Sequence, residues 1–209
     1  MNGVGDAATI RHIVFDVGCV LIHWDAEIPY RDLIADAARR RWFLSQVCSP
    51  QWNAAQDRGR SWAEAEAELI ARFPAEEKLI RAFRKRWPEM IPHALDESVV
   101  VLEGLVAQGR DVTLLTNFND ETFVEARARY PFLDLARGAT VSALVGLLKP
   151  EREIFDHHAQ TFGLDPGASL FIDDSPANVD GARAAGWQAV QFVGAARLRA
   201  DLADFGIVA

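Results

Sequence analysis

The sequence predicts a doubly wound α/β fold, a parallel sheet with helices on both faces, into which an all-helical segment is inserted. Short apolar runs alternate with helical patterns along most of the chain, which is typical of this class. One early interval is too long for a single crossover between strands. The chain has 209 residues, of which 50% are hydrophobic and 25% are charged, and this composition excludes a disordered protein.

Five short apolar runs are predicted to be the strands. Because they lack the alternation of a half-exposed sheet, we expect a parallel sheet that is covered on both faces. Helical patterns lie between the runs, and glycines follow three of these patterns as C-terminal stops. The predicted strands are 12–15, 112–115, 139–142, 169–172 and 188–193, and the predicted helices are 97–108, 120–130, 150–162, 176–185 and 195–205.

The first interval contains the inserted segment. About 95 residues separate the first two strands, whereas a parallel crossover needs a dozen or more. Ser61 and Glu64 have the spacing of a capping box at the start of one inserted helix. The inserted helices are predicted at 30–47, 61–73 and 75–87. The predicted domains are a core of residues 1–25 and 95–209 and a helical domain of residues 26–94, with hinges at 24–27 and 88–95.

Charge and cysteine content exclude several classes of protein. A net charge of −8 argues against a protein that binds nucleic-acid phosphates by electrostatics. No apolar run is long enough to span a membrane, and the first residues lack a signal-peptide pattern. Cys19 and Cys48 form neither a disulfide framework nor a zinc cluster. We therefore expect a cytoplasmic protein without nucleic-acid or membrane partners, while its oligomeric state stays open.

Acidic residues follow two of the predicted strands, at the edge of the sheet where ligands bind in this class. Asp16 follows the first strand, and Asp173 and Asp174 follow the strand at 169–172. Three carboxylates at one edge repel each other unless a cation lies among them, and Mg²⁺ prefers such oxygen ligands. The sequence therefore predicts a magnesium site.

Asp16, Thr116 and Lys149 are residue types that suit phosphoryl transfer. A carboxylate such as Asp16 can attack phosphorus and form an aspartyl-phosphate. The Thr116 hydroxyl follows the strand at 112–115, and Lys149 directly precedes a predicted helix. Both groups can bind phosphoryl oxygens as their charge redistributes in the transition state.

Four motifs in this order and spacing resemble the haloacid dehalogenase superfamily over nearly the whole chain. They are residues 15–21 (FDVGCVL), 114–117 (LLTN), 149–155 (KPEREIF) and 171–186 (FIDDSPANVDGARAAG). The resemblance implies a Rossmann-like core and identifies the insertion as a helical cap of the C1 type. The cap turn, residues 57–61 (DRGRS), is similar to that of the sugar-phosphate phosphatase-like branch.

The resemblance also implies a metal site. Asp16 corresponds to the nucleophile and a magnesium ligand, and the backbone carbonyl of Gly18 corresponds to another ligand. Asp174 corresponds to the direct ligand of the fourth motif, with Asp173 beside it and Asn178 in support.

The same resemblance assigns the residues around the substrate, a small phosphorylated metabolite. Thr116 and Lys149 correspond to the groups that hold the phosphoryl oxygens, with help from backbone N–H groups of nearby loops. The cap is expected to contact the remainder of the substrate and to determine specificity. The resemblance implies Gly18, Cys19 and Asn117 as substrate-binding residues. We add His23, which lies close to Gly18 in the chain, and Arg58, a cation of the cap turn that could contact a polar substrate.

Gly18 departs from the usual phosphatase pattern, which has a second aspartate at this position. That aspartate protonates the leaving alkoxide and later activates water, and such general acid–base catalysis is worth roughly 10²–10⁴-fold. His23 and Asp25, a few residues further on, are the candidate replacements because both side chains can exchange a proton.

Three functions are compatible with Gly18. The first is a Mg²⁺-dependent phosphatase whose substrate, such as a sugar 1-phosphate, has a leaving group that needs less proton assistance. The second is a 2-haloacid dehalogenase, a branch that uses no Mg²⁺ and normally carries an aromatic residue at the position of Gly18. The third is a catalytically weakened binding or regulatory protein. The intact Asp16, Thr116, Lys149 and Asp174 argue against a complete loss of catalysis. The phosphatase is the function that we expect.

Two further expectations concern cysteine and tryptophan. Cys19 follows Gly18 in the same loop, and we expect its thiol to be accessible to small oxidants and alkylating agents. Four tryptophans lie in the insertion, and we expect their rings to stabilise the small cap rather than to bind substrate. They are Trp42, Trp52, Trp62 and Trp87.

Overall fold

A five-stranded sheet is the centre of the fold. The computed structural model describes residues 9–208. Its strands are β1 His12–Phe15, β2 Asp111–Thr116, β3 Ala139–Val141, β4 Ser169–Asp173 and β5 Gln188–Gln191. They lie in the order β3-β2-β1-β4-β5, and every neighbouring pair is parallel. The predicted doubly wound α/β class is therefore confirmed.

Helices form the insertion and cover the sheet. The inserted helices are α1 Tyr30–Leu33, α2 Ala37–Trp42, α3 Pro50–Asp57, α4 Trp62–Arg72, α5 Glu77–Lys85 and α6 Trp87–Met90. The others are α7 Asp96–Ala107, α8 Asp120–Arg129, α9 Ser142–Val145, α10 Arg152–Phe162, α11 Pro176–Ala184 and α12 Ala195–Asp204. Among residues 9–208, no helix has both the length and the apolar character that crossing a membrane requires.

Successive residues of the central strands pack into two separate hydrophobic cores, one on each face of the sheet. Val14 and Phe171 belong to the core that α10 and α11 cover. Ile13 and Phe15 belong to the other core, which α7, α12 and the cap share. Burial on both faces explains why these strands carry continuous apolar runs.

The strand register aligns the ends of the three central strands. Phe15 is paired with Leu114 of β2 on one side and with Ile172 of β4 on the other. The residues that follow, Asp16 and Asp173, therefore reach the same edge of the sheet. This edge lies where the chain switches from one side of β1 to the other, the usual ligand position in such folds.

The cap differs in detail from the prediction. Residues 30–47 form α1, α2 and a π-helical turn (Phe43–Val47) rather than one helix, because the Asp36 side chain accepts the N–H of Arg39 and starts α2 afresh. Helix α3 was not predicted, although Ser49 caps it and Pro50 occupies its first turn, both ordinary start signals. The capping box of Ser61 and Glu64 is present at the start of α4.

Helix α10 begins later than predicted. Pro150 was placed at its first position, but the helix starts at Arg152 with Glu151 as its N-cap residue. The N–H of Glu151 donates to the carbonyl of Leu148 at 2.9 Å, so residues 148–151 form a turn that leads into the helix.

Aromatic rings form the core of the cap. Tyr30 lies 5.1 Å from Phe43 and Trp52 lies 5.2 Å from Phe83, measured between ring centroids. The hydroxyl of Tyr30 donates to the carbonyl of Leu79 at 2.8 Å, so its polar end is satisfied. Trp52 and Trp62 belong to this aromatic cluster, whereas Trp42 is exposed and Trp87 packs on Phe118 of the core.

The two chain segments that connect cap and core pair with each other. The N–H of Leu95 donates to Leu21 at 2.8 Å, and the N–H of His23 donates to His93 at 3.1 Å. A short antiparallel bridge joins Ile22 to Ala94. The second predicted hinge, 88–95, therefore ends within a hydrogen-bonded ribbon, and the first, 24–27, begins directly after it. Their role as hinges stays a prediction.

Gly181 allows α11 to lie directly against Pro150. A Cβ atom at this position would lie 2.5 Å from the Pro150 carbonyl oxygen and 2.8 Å from its Cβ. No side chain fits at that separation without moving the backbone of one of the two segments. Glycine is therefore a packing requirement at position 181.

We expect Gly181→Ala to lower the free energy of unfolding by about 1–3 kcal/mol, because the added methyl group overpacks the contact with Pro150. Gly104→Ala is the matched control, since a Cβ at this helical glycine meets nothing within 4 Å. The control should raise the free energy of unfolding by about 0.5–1 kcal/mol. Urea unfolding curves of both variants measure these changes. Equal midpoints for the two variants would contradict the packing argument.

Candidate active site

Lys149 lies at the centre of the site, where the three central strands end. Its Nζ atom is 2.7 Å from Asp16 Oδ1, 2.7 Å from Asp173 Oδ2 and 3.0 Å from the Leu115 carbonyl oxygen. One buried ammonium thus connects β1, β4 and β2. Burial alone would lower the pKa of Lys149, but the two carboxylates raise it above its ordinary value, so the lysine stays charged.

Asn117 holds the backbone of this lysine. Its Nδ2 donates to the Lys149 carbonyl at 3.0 Å, and its Oδ1 accepts the Lys149 N–H at 2.9 Å. The predicted contact of the Asn117 backbone with substrate stays a prediction, and Asn117 lines the cavity beside the site. Its side chain positions Lys149 relative to the end of β2, where Thr116 is buried.

Asp173 is fully buried and is held from several directions. Besides the contact with Lys149, its two oxygens lie 3.0 and 3.1 Å from Asn178 Nδ2. The N–H of Ser175 also donates to Asp173 Oδ1 at 2.9 Å. These partners fix the orientation of the carboxylate and explain how it is tolerated without solvent.

The three carboxylates form a cluster that suits a divalent cation. Asp16, Asp173 and Asp174 each offer an oxygen, and these atoms lie within 4.8 Å of one another. Burial raises the pKa of Asp16; the charge of Lys149 lowers this pKa, and the charge of Asp173 raises it further. Burial and the charge of Asp173 likewise raise the pKa of Asp174. One ammonium does not balance three carboxylates, and oxygen donors alone match Mg²⁺. The residues present therefore fit this metal.

A tight turn after Asp16 brings Gly18 and Cys19 to the edge of the sheet. The N–H of Cys19 donates to the Ile22 carbonyl at 2.7 Å. This N–H is therefore not available to a substrate, contrary to the prediction for Cys19. Burial, followed by the charge of Asp174, raises the pKa of the Cys19 thiol. A Cβ at Gly18 would meet no atom within 4 Å, so the packing leaves room for a side chain there.

A cavity of about 240 Å³ opens between this edge and the cap. Its aromatic walls are Trp24, Trp62, Trp87 and Phe118, and its polar residues include Cys19, Asn53, Asp57, Asn117, Thr122 and Asp174. A phosphoryl group at the carboxylate cluster would therefore have its organic part among these rings.

Arg58, which was predicted to bind substrate, contacts the core instead. Its Nη1 donates to the Gly146 carbonyl at 3.2 Å and its Nη2 pairs with Glu151. Gly59 beside it has φ of 106°, and a Cβ there would lie 2.9 Å from the Ala143 carbonyl oxygen. The cap turn is thus a docking contact between cap and core, and Arg58 does not line the cavity.

His23 and Asp25, the candidate replacements for the missing aspartate, do not line the cavity either. The ring of His23 stacks on His93 with a centroid distance of 4.9 Å. The carboxylate of Asp25 accepts the N–H of Glu27 at 2.7 Å and a guanidinium N–H of Arg31 at 2.9 Å. Asp25 therefore stabilises the chain entry into α1.

Asp57 is a cavity residue that sequence reasoning missed. It ends α3, the helix that was not predicted, and its carbonyl accepts the Ser142 hydroxyl at 2.5 Å. The available signal was its position in the cap turn, directly before Arg58, the residue of this turn that the sequence analysis assigns to the substrate.

Sequence comparison relates the chain to known hydrolases. The profile of the haloacid dehalogenase-like hydrolases matches residues 10–186. A curated relative, the sesquiterpene phosphatase astK of Aspergillus oryzae, is 27% identical over 184 residues, which cover 85% of this chain and 87% of the relative.

Solved structures share the architecture. A HAD-like family hydrolase from Porphyromonas gingivalis has a TM-score of 0.66 at 25% identity and covers 88% of this chain and 91% of its own. A HAD family enzyme of Bacteroides thetaiotaomicron, solved with magnesium and inorganic phosphate, has a TM-score of 0.66 at 23% identity, covering 87% and 93%. The L-2-haloacid dehalogenase of Xanthobacter autotrophicus has a TM-score of 0.63 at 16% identity, covering 96% and 85%.

The last two likenesses show the fold alone, because their identities are low. The family profile is more informative, since it spans most of the sheet, the strand ends that carry Asp16 and Asp173, and the loop before α10 that carries Lys149. On that match, together with the parallel sheet and its carboxylate cluster, the chain belongs to the haloacid dehalogenase-like hydrolases.

Proposed function

We propose that the protein is a Mg²⁺-dependent phosphatase that cleaves a small phosphomonoester through an aspartyl-phosphate on Asp16. The observation that carries the proposal is the setting of this carboxylate. Asp16 Oδ1 is 2.7 Å from Lys149 Nζ and accepts the N–H of Val17 at 2.7 Å. Because both contacts use Oδ1, Oδ2 is the oxygen left to attack phosphorus.

The neighbouring residues supply positive charge and orientation. Lys149 and the Thr116 hydroxyl bind the phosphoryl oxygens and stabilise the charge that redistributes as the ester bond breaks. Asp16, Asp174 and the Gly18 carbonyl would hold the magnesium, with Asp173 beside them, and the bound ion would neutralise phosphoryl charge. Asn117 and Asn178 keep Lys149 and Asp173 in place.

The cavity beside the carboxylate cluster has room for a compact leaving alcohol. Indole rings that lie beside amide and carboxyl groups suit a sugar ring, and the resemblance of the cap turn to the sugar-phosphate phosphatase-like branch supports the same substrate class. The 27% identical relative is named as a sesquiterpene phosphatase, which adds short terpenyl phosphates to the substrates worth testing. A small phosphorylated metabolite is the substrate class that we propose.

The dehalogenase alternative is less well supported by the site. Halide departure needs neither a metal nor a third carboxylate, whereas Asp16, Asp173 and Asp174 converge within 4.8 Å. The likeness to the dehalogenase from Xanthobacter autotrophicus concerns the fold. Chloride release from a 2-haloacid is therefore the control reaction.

We expect phosphate release from aryl, sugar and terpenyl phosphates to require Mg²⁺ and to stop in EDTA, because the carboxylate cluster needs a cation. Asp16→Asn should lower kcat by several orders of magnitude, since an amide is not a competent nucleophile. The matched control is Asp32→Asn, an exposed aspartate of α1 that should leave activity unchanged. Chloride release that depends on Asp16 but not on Mg²⁺ would favour the dehalogenase. No activity in either assay would favour a binding protein.

We expect Cys19 to react slowly with iodoacetamide at neutral pH and faster as the pH rises, because burial raises the pKa of its thiol and keeps thiolate scarce. Mass spectrometry of the labelled protein measures the rate against free glutathione. Inactivation should follow labelling of Cys19, and inorganic phosphate with Mg²⁺ should protect. If Cys19→Ser is inactivated at the same rate, another group is the target.

A further inference from the structure

The proposed phosphatase lacks a proton donor where its family carries one. Gly18 stands at that position, and the space around it is open, since a Cβ would meet no atom within 4 Å. An acid reaching the ester oxygen from another part of the chain would therefore not be blocked by a side chain at Gly18.

The cavity contains few groups that could supply the proton. Its titratable residues are Cys19, Asp57 and Asp174. Asp174 belongs to the carboxylate cluster, and Cys19 lies beside it in the turn after the nucleophile. Asp57 is the carboxyl group that the cap contributes.

The cap turn holds Asp57 in place from both sides. Asn53, one helical turn earlier in α3, donates to Asp57 Oδ2 at 3.0 Å. From the core, the Ser142 hydroxyl donates to the Asp57 carbonyl at 2.5 Å, and the close approach of Gly59 to Ala143 fixes the distance between the two segments. The carboxyl group is thus positioned with respect to the sheet edge.

The surroundings of Asp57 are uncharged on the cap and on the adjoining core loop. Asn53 and Asn119 face it, and the neighbouring Arg58 is turned onto Glu151. Among the described residues, no Lys, Arg or His nitrogen lies within ion-pair distance of its carboxylate. Burial raises its pKa to about 7, although a backbone hydrogen bond from Asn119 lowers it. A carboxyl group with this pKa can both give and take a proton at neutral pH.

We propose that Asp57 is the general acid and base of the reaction on Asp16, delivered by the cap in place of the aspartate that Gly18 replaces. The inference rests on the proposed phosphatase function. It also assigns the cap a chemical role, because the proton donor is present only when the cap turn lies on the core.

The two steps balance as follows. In the first, an Asp16 oxygen bonds to phosphorus while the ester P–O bond breaks, and the Asp57 proton moves to the departing alkoxide to give the alcohol. In the second step, the Asp57 carboxylate takes a proton from a water molecule while the oxygen of that water bonds to phosphorus. The bond between phosphorus and Asp16 then breaks and releases phosphate. Asp16 is again a carboxylate, and Asp57 is again protonated.

The decisive experiment compares leaving groups in Asp57→Asn, with Asp32→Asn as the control. Formation of the phospho-enzyme from 2,4-dinitrophenyl phosphate needs no proton donor, so its rate should change little. Turnover of a primary alkyl phosphate should fall by roughly 10²–10⁴-fold, which is the value of general acid–base catalysis. Equal losses for both substrates, or none, would overturn the proposal.

A double variant tests replacement directly. Because the space at Gly18 is open, Gly18→Asp in the Asp57→Asn background should restore part of the alkyl-phosphate activity, which a merely structural role of Asp57 would not allow. No recovery in a folded, Mg²⁺-binding double variant would count against the proposal.

The wild-type protein offers a measurement that needs no variant. As the pH rises through the pKa of Asp57, the acid form of this residue is lost. A plot of the logarithm of the rate against the pKa of the leaving alcohol should therefore have a shallow slope at about pH 6 and a steep slope at about pH 8. An unchanged slope would refute the role of Asp57. The failure of the phosphatase proposal looks different: the wild-type protein would then release no phosphate even from the dinitrophenyl ester.

Discussion

The buried Lys149 ammonium is the interaction on which the site and the sheet edge depend. It compensates Asp16 and Asp173 at once, and breaking such a buried pair costs about 3–5 kcal/mol because a charge is left uncompensated. Its backbone is fixed by Asn117 and by the contact between Pro150 and Gly181. The same ammonium occupies Asp16 Oδ1, so the stability of the sheet edge and the orientation of the oxygen that we propose as the nucleophile have one physical origin.

The cap turn has a comparable double role at the opposite wall of the cavity. Arg58 binds Glu151 on the surface, and the Asp57 carbonyl accepts the Ser142 hydroxyl, so docking and placement of the Asp57 carboxyl group occur together. Closure of the cap would also exclude water, which strengthens the electrostatic interactions within the site. In the mechanism that we propose, one conformational state, with the cap on the core, thus provides both the proton donor and the exclusion of water.

Most of the core could be predicted because its signals are local. A continuous apolar run is sufficient to indicate a buried parallel strand, and glycine or proline marks the ends of the flanking helices. The cap was predicted less well, since its helices are short and depend on packing. Asp36 interrupts the run at 30–47 by capping α2, and the start signal of Ser49 and Pro50 precedes a helix with a weak apolar pattern.

The sequence by itself determined which residues could meet at the sheet edge. Asp16, Thr116 and Asp173 each end or follow a parallel strand, and parallel strands bring their carboxyl ends to one edge. Only the tertiary structure decided which residue of the cap turn lines the cavity, Asp57 rather than Arg58. That choice depends on contacts between segments far apart in the chain, such as residue 57 with residue 142, and no local periodicity encodes how two packed domains meet.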